Sequence, residues 1–227
     1  MRKNKLQSEH HREEAAPPPL SRGLVLYLYA TACVAGAAIM IVEILGAKML
    51  APFFGTSHFV WTAQIAVTLA ALALGYYAGG RIADRFTSLA WLYLAIMLAA
   101  LALISTVAVR EWLAYGLLPL PLALGSLLAS ACLFFVPLFL LAMTGPFLVR
   151  TTARSLLGIG GTVGRVSSVS TIGSFIGTAV IGYLLIPLLP NATTMYGTAT
   201  ILILLSGGYF LAWGRRRGRV LGLGLGI

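Results

Sequence analysis

Acidic side chains are scarce in this chain: Asp and Glu number 6 against 16 Lys and Arg, and all charged residues together make up 10% of 227 positions. Soluble domains carry about 25% charged residues. With 59% hydrophobic residues and a mean hydropathy of +0.93, a water-soluble globule is excluded. Only two cysteines occur, Cys33 and Cys132, each within an apolar run. A disulfide framework therefore has no support, and cysteine usage does not define the redox compartment. Two of the three histidines, His10 and His11, lie in the polar N-terminal stretch, so no metal-ligand set is assembled and no metal is expected. A nucleotide-binding glycine fingerprint with an acidic partner is also missing. The glycine-rich "GIGGTVG" at Gly158–Gly164 follows no strand and reads as a flexible cytoplasmic loop. No enzyme site and no cofactor site emerge. The net charge of +10 falls in short clusters between apolar runs rather than in a continuous stripe, which argues against nucleic acid.

What the chain does have is long apolar runs, each near the roughly 20 residues that cross about 30 Å of hydrocarbon. They lie at about residues 24–50, 60–78, 89–109, 122–149, 166–189 and 193–213. The expected fold is all-α: a polytopic membrane protein of six spans. Residues 1–22 read as a disordered basic cytoplasmic tail, 23–214 as the transmembrane domain and 215–227 as a short basic C-terminal tail. The first run exceeds the h-region of a cleavable signal and reads as a retained helix. "WLAYGLLPLPLALG", broken by Pro119 and Pro121, reads as a short interfacial or re-entrant piece. Lys and Arg concentrate in the two tails, beside Arg81 and Arg85, and at Arg150, Arg154 and Arg165, while Lys48 and Arg110 fall on the other side. The positive-inside rule then places both termini in the cytoplasm.

Glu43 stands inside the first run. A charge at helix depth costs about 2.5 to 3.5 kcal/mol on insertion scales, so this carboxylate must face a partner, face water or carry a proton. The run puts it toward the outer end of the span. Two readings stay open, a carboxylate near the headgroups bonded to a neighbouring helix and a substrate or proton site. Lys48, about 140° further around the helix, is no intrahelical partner and reads as an interfacial anchor. In "APFFGTSHFVW", Pro52 is expected to stop the helix, Gly55 to turn the chain, and Thr56 or Ser57 to cap the next helix. His58 reads as an exposed polar residue.

In the second span Trp61, Gln64, Thr68, Ala71 and Gly75 recur at three- and four-residue steps, and Gln64 can reach across to Glu43. Glu43, Gln64, Trp61 and Thr68 are the candidate substrate or proton site, although Trp61 also fits an aromatic belt. The fifth span carries Ser167, Ser170, Gly173, Ser174 and Gly177, which includes a small-xxx-small pair suited to close helix approach. Gly75, Gly79, Ser170, Gly173, Ser174 and Gly177 are the candidate packing residues. Pro137 and the Thr144–Pro146 "TGP" of the fourth run are expected to kink it and free backbone carbonyls.

Two runs, "EILGAKMLAPFFGTSHFVWTAQIAVTLAALALGYYAGGRIADR" and "GRVSSVSTIGSFIGTAVIGYLLIPLLP", resemble the membrane half of the bacterial spermidine-synthase-like membrane proteins, the fused major-facilitator and spermidine-synthase family. The resemblance covers roughly residues 24–213. It carries over Glu43, Lys48, Pro52, Gly55, Trp61, Gly75, Gly79, Gly80, Arg81, Asp84, Arg85, Gly164, Arg165, Thr171, Gly173 and Gly177 as characteristic positions. Ser167 and Ser170 stand where family members often have Tyr and Asn. The sequence given carries no aminopropyltransferase-like domain, so catalysis of aminopropyl transfer by this chain alone is not expected. "GGRIADRF" also resembles the cytoplasmic loop between the second and third helices of major-facilitator transporters. That likeness implies a gate loop of Arg81, Asp84 and Arg85.

These resemblances imply one half of a major-facilitator transporter, paired as a homodimer or with a partner membrane chain. Its cargo would be a cationic metabolite such as a polyamine. The alternative is a membrane anchor for a separately encoded soluble aminopropyltransferase, the name spermidine synthase then attaching to the chain only through its relatives.

Overall fold

The computed structural model describes residues 21–86, 88–153 and 159–214. Most of the N-terminal tail, the C-terminal tail, Thr87, Arg154 and Gly158 lie outside the described residues. Every regular element among the described residues is helical: α1 (Arg22–Phe54), α2 (His58–Arg85), α3 (Leu89–Leu117), α4 (Leu122–Ala142), α5 (Thr144–Thr152), α6 (Ile159–Val180) and α7 (Asn191–Tyr209). A π-helical turn, Ile181–Leu185, continues α6 into a final stub, and a second such turn, Phe210–Gly214, ends α7. Among the described residues six stretches are long and apolar enough to cross a membrane, with α4 and α5 together forming the fourth and α6 with its π-turn and stub the fifth.

Several boundaries differ from the sequence expectation, mostly in the direction of longer helices. Pro52 does not stop α1, which continues to Phe54; Gly55 ends it with φ +76°, its N–H bonded to the Ala51 carbonyl. A proline this near a C-terminus disturbs only the last turn, so the helix tolerates it. Ser57 is the N-cap of α2 but makes no side-chain capping bond. "GGRIADR" is the last part of α2 rather than a loop, and "WLAYGL" continues α3, leaving Pro119 and Pro121 to the turn before α4. Gly160, Gly161 and Gly164, read above as loop, belong to the first turns of α6. The fourth span breaks at Met143, not at Pro137, which is buried within α4. Pro146 lacks the N–H that would bond the Ala142 carbonyl, which weakens the ladder at that point.

Because lipid is as apolar as leucine, helices in a membrane associate through close packing and polar contacts rather than apolar burial. Here α1 touches every other span. Its tightest neighbour is α6: a Cβ on Gly173 would lie 2.0 Å from the Cys33 carbonyl oxygen, one on Gly36 2.2 Å from that of Ser170, and one on Gly177 2.6 Å from that of Ala37. Ser174 Oγ donates to the Gly36 carbonyl at 3.1 Å across the same seam. Cys33 with Gly173 and Ala37 with Gly177 keep one sequence offset, so α1 and α6 run parallel. The same relation joins α2 to α4 and α5, where Gly75 meets Phe139 and Ala142, and Gly79 meets Met143. Spans one, three and five therefore begin at the end where two and four finish.

At that end a polar and aromatic network locks α1, α3 and α7 together. Thr31 Oγ1 lies 2.8 Å from the Tyr27 carbonyl and 3.0 Å from Tyr93 Oη. The threonine proton serves the carbonyl, so Tyr93 donates to Thr31. Ser206 Oγ donates to the Tyr93 carbonyl at 2.6 Å, Tyr27 Oη donates to the Leu205 carbonyl, and Tyr93 stacks on Tyr209 with centroids 4.0 Å apart. Thr31→Val removes the acceptor of a fully buried hydroxyl and is expected to cost about 1 to 2 kcal/mol. A denaturation midpoint in mild detergent checks this; an unchanged midpoint would mean that Tyr93 is satisfied elsewhere.

Candidate functional site

On the flank of the α1–α6 seam lies a cleft of about 430 Å³ between α2, α5 and α6. Tyr76 forms one wall, Gly145 and Pro146 the second, and Ser167, Ser170, Thr171 and Ser174 the third. The serines that mark the packing stripe thus also line a cleft, because α6 meets α1 with only part of its circumference. Ser167 to Ser174 lie roughly 12 to 23 Å along α6 from its start, at 1.5 Å per residue, so the cleft reaches toward the middle of the span.

The mouth of the cleft carries charge. Along α2, Tyr76, Gly80 and Asp84 follow one another at four-residue steps and share a face. They run beside Pro146 and Arg150, which share a face of α5: a Cβ on Gly80 would be 3.9 Å from Pro146, and Asp84 Oδ1 pairs with Arg150 Nε at 3.4 Å. Arg81 lies over the Tyr77 ring, 4.5 Å from its centroid. Asp84, Arg81 and Arg85 are all exposed helical residues. The sequence singled out Asp84 but not its partner on α5, 66 positions away, since nothing local to Arg150 announces the pair.

The residues proposed from sequence as a substrate or proton site are not gathered into this cleft. Gln64 is fully buried, and neither its Nε2 nor its Oε1 has a hydrogen-bond partner among the described residues, so the expected bond to Glu43 is not made. Its amide instead abuts Gly46, whose Cβ would be 2.6 Å from Nε2. Gly46 lies three residues beyond Glu43, about 60° around α1 and about 4.5 Å further along it, so the amide meets the turn that follows the carboxylate. Thr68 is buried and donates to the Gln64 carbonyl at 2.9 Å. Trp61 is exposed, outside the buried face formed by Gln64, Thr68, Ala71 and Gly75. Ser130 of α4, which stands within about one turn of Gln64 by the α2–α4 offset, is likewise fully buried with an unpartnered hydroxyl.

Glu43 itself is half-buried and takes part in neither ion pair among the described residues, Asp84–Arg150 and Arg110–Glu111. Since α1 extends to Phe54, its midpoint is near Ala38, and Glu43 lies about 7 to 8 Å from it rather than near the outer end. Glu43 repeats the azimuth of Gly36 to within about 20°, on the α6 side of α1. Continuing the Cys33–Gly173 offset brings it level with Tyr183 in the π-turn. Such turns often mark functional positions in helices.

In comparisons with known proteins, the chain matches no family model, no curated protein and no solved structure.

Proposed function

We propose that the chain is a transport module for a cationic metabolite of the polyamine class, working as a homodimer or with a second membrane chain. The observation that carries this reading is the hydroxyl-lined cleft between α2, α5 and α6, with the Asp84–Arg150 pair at its mouth. A transporter needs a polar path into the membrane and a contact that can break when the path opens. The half-buried Glu43 supplies the one carboxylate at mid-span depth among the described residues. Transporters built from two six-helix halves place their site between the halves. The fifth span is the least buried of the six, which leaves a surface for the second unit.

The Asp84–Arg150 pair is more than half exposed on both sides, so it contributes little to stability, roughly 0 to 1 kcal/mol. Asp84→Asn is therefore expected to leave the folded chain intact and to slow exchange of labelled spermidine across proteoliposomes. Unchanged exchange would remove the gate. A second reading, a membrane anchor for a soluble aminopropyltransferase, is favoured by the exposed arginines Arg81, Arg85 and Arg165 at one end of the bundle. Under that reading no exchange occurs with the wild-type chain.

The resemblance to bacterial membrane proteins supports a bacterial inner membrane, and the positive-inside rule supports a cytoplasmic basic end with both termini on that side. Reporters fused after residue 87 and at the C-terminus should then signal inside, and one at Asn191 outside. An outside signal from the C-terminus would overturn the assignment.

A further inference from the structure

On the opposite flank of α6 from the hydroxyl cleft is a groove of about 590 Å³, lined by Tyr29 of α1 and by Gly161, Gly164, Arg165, Ser168 and Val169 of α6. We propose that this groove binds the headgroup of an anionic phospholipid, with the Arg165 guanidinium on the phosphate.

Chemistry, depth and shape agree. Arg165 uses its Nε to donate to the Gly161 carbonyl at 3.2 Å, which holds the side chain along the helix and leaves the two terminal nitrogens of its fork for an anion. It belongs to neither ion pair among the described residues. Ser168 and Tyr29 add hydroxyl donors. Among the described residues nothing lies within 4 Å of the positions where Gly161 or Gly164 would carry a Cβ, so a bulky headgroup can approach the α6 backbone.

The depth follows from helix length. At 1.5 Å per residue α1 is about 50 Å long, roughly 20 Å more than the hydrocarbon layer. With the excess shared between its ends, the boundary lies about 10 Å from Arg22. Tyr29 is about 10 Å along α1, and Arg165, level with Val25 by the Cys33–Gly173 offset, about 4 to 5 Å along it. Tyr29 therefore sits at the edge of the hydrocarbon and Arg165 about 5 to 6 Å outside it, where phosphates lie. Further along the Arg165 face come Ile172 and Ile176, 55% and 48% exposed, a path for an acyl chain.

Charge complementarity selects an anionic lipid over a zwitterionic one. Arg22, Arg81, Arg85, Arg150 and Arg165 share this end of the bundle, and Asp84, the acidic residue there among the described ones, is already engaged by Arg150. A choline or ethanolamine group would bring a second positive charge into that field.

The test is native mass spectrometry of the full chain released from neutral detergent, titrated with phosphatidylglycerol or with phosphatidylcholine of the same acyl chains. Wild type should retain one phosphatidylglycerol in preference to phosphatidylcholine. Arg165→Gln should weaken that retention about fivefold to tenfold, while Arg85→Gln, which removes the same charge from the same end outside the groove, should not. If Arg165→Gln does not fold, Ser168→Leu, which fills the groove and keeps the charge, should lower retention instead. Undiminished retention in the folded groove variant would overturn the proposal, as would an equal loss in Arg85→Gln. Competition by inorganic phosphate alone would assign the site to a free anion and also overturn it.

Discussion

Gly173→Leu is expected to yield little or no folded protein. The Cβ it adds would stand 2.0 Å from the Cys33 carbonyl oxygen and 2.7 and 2.8 Å from two further backbone atoms of Cys33. Overpacking costs about 1 to 3 kcal/mol where side chains can give way. Here the obstacle is the backbone of α1, the helix that every other span contacts. Relief requires α6 to move off α1, which also breaks the Ser174–Gly36 bond and exposes Gly36 and Gly177. The loss should therefore exceed roughly 3 kcal/mol, the upper end of that range. Gly160→Leu is the control, since nothing among the described residues lies within 4 Å of its Cβ position on the same helix. Monodispersity on gel filtration and the thermal midpoint should separate the two variants; equal behaviour would refute the α1–α6 seam.

Glu43→Gln carries the largest expected effect on activity. The substitution removes a charge at nearly constant shape from a half-buried position about 7 to 8 Å from the middle of α1. Neither ion pair among the described residues depends on it. Insertion scales assign an acidic residue near the helix centre about 2.5 to 3.5 kcal/mol, so folded protein should persist with an equal or higher thermal midpoint. If Glu43 is the cation or coupling site, flux should fall by at least about tenfold, the equivalent of one lost interaction of roughly 1.4 kcal/mol. Raised stability with unchanged flux would make Glu43 a tolerated structural residue and move the site elsewhere.

The six spans were legible because apolar run length is a direct consequence of bilayer thickness, and an apolar core of about 20 residues needs no tertiary information to be recognised. The helix ends were not legible. "GGRIADR" and the glycines from Gly160 lie beyond the apolar cores, where hydropathy falls although the backbone continues to satisfy itself as helix, while "WLAYGL" was set apart by Pro119 and Pro121, which act only after the helix has ended at Leu117. Small-residue spacing pointed to Gly173 and Gly177, since only glycine permits the approach to Cys33 and Ala37. It did not reveal that Ser170 and Ser174 would line a cleft with Tyr76, because that depends on where α2 and α5 stand around α6. Gln64 was misassigned to Glu43 for a related reason. Periodicity gives each helix its stripe, but the rotation of one stripe against another is set by packing, and here it delivers Gln64 to Gly46.

The most direct test of the transport reading is uptake of labelled spermidine by sealed proteoliposomes containing the purified wild-type chain, compared with protein-free liposomes of the same lipid. Saturable uptake well above the empty vesicles is the predicted result; uptake indistinguishable from theirs, with the chain folded and inserted, would contradict it.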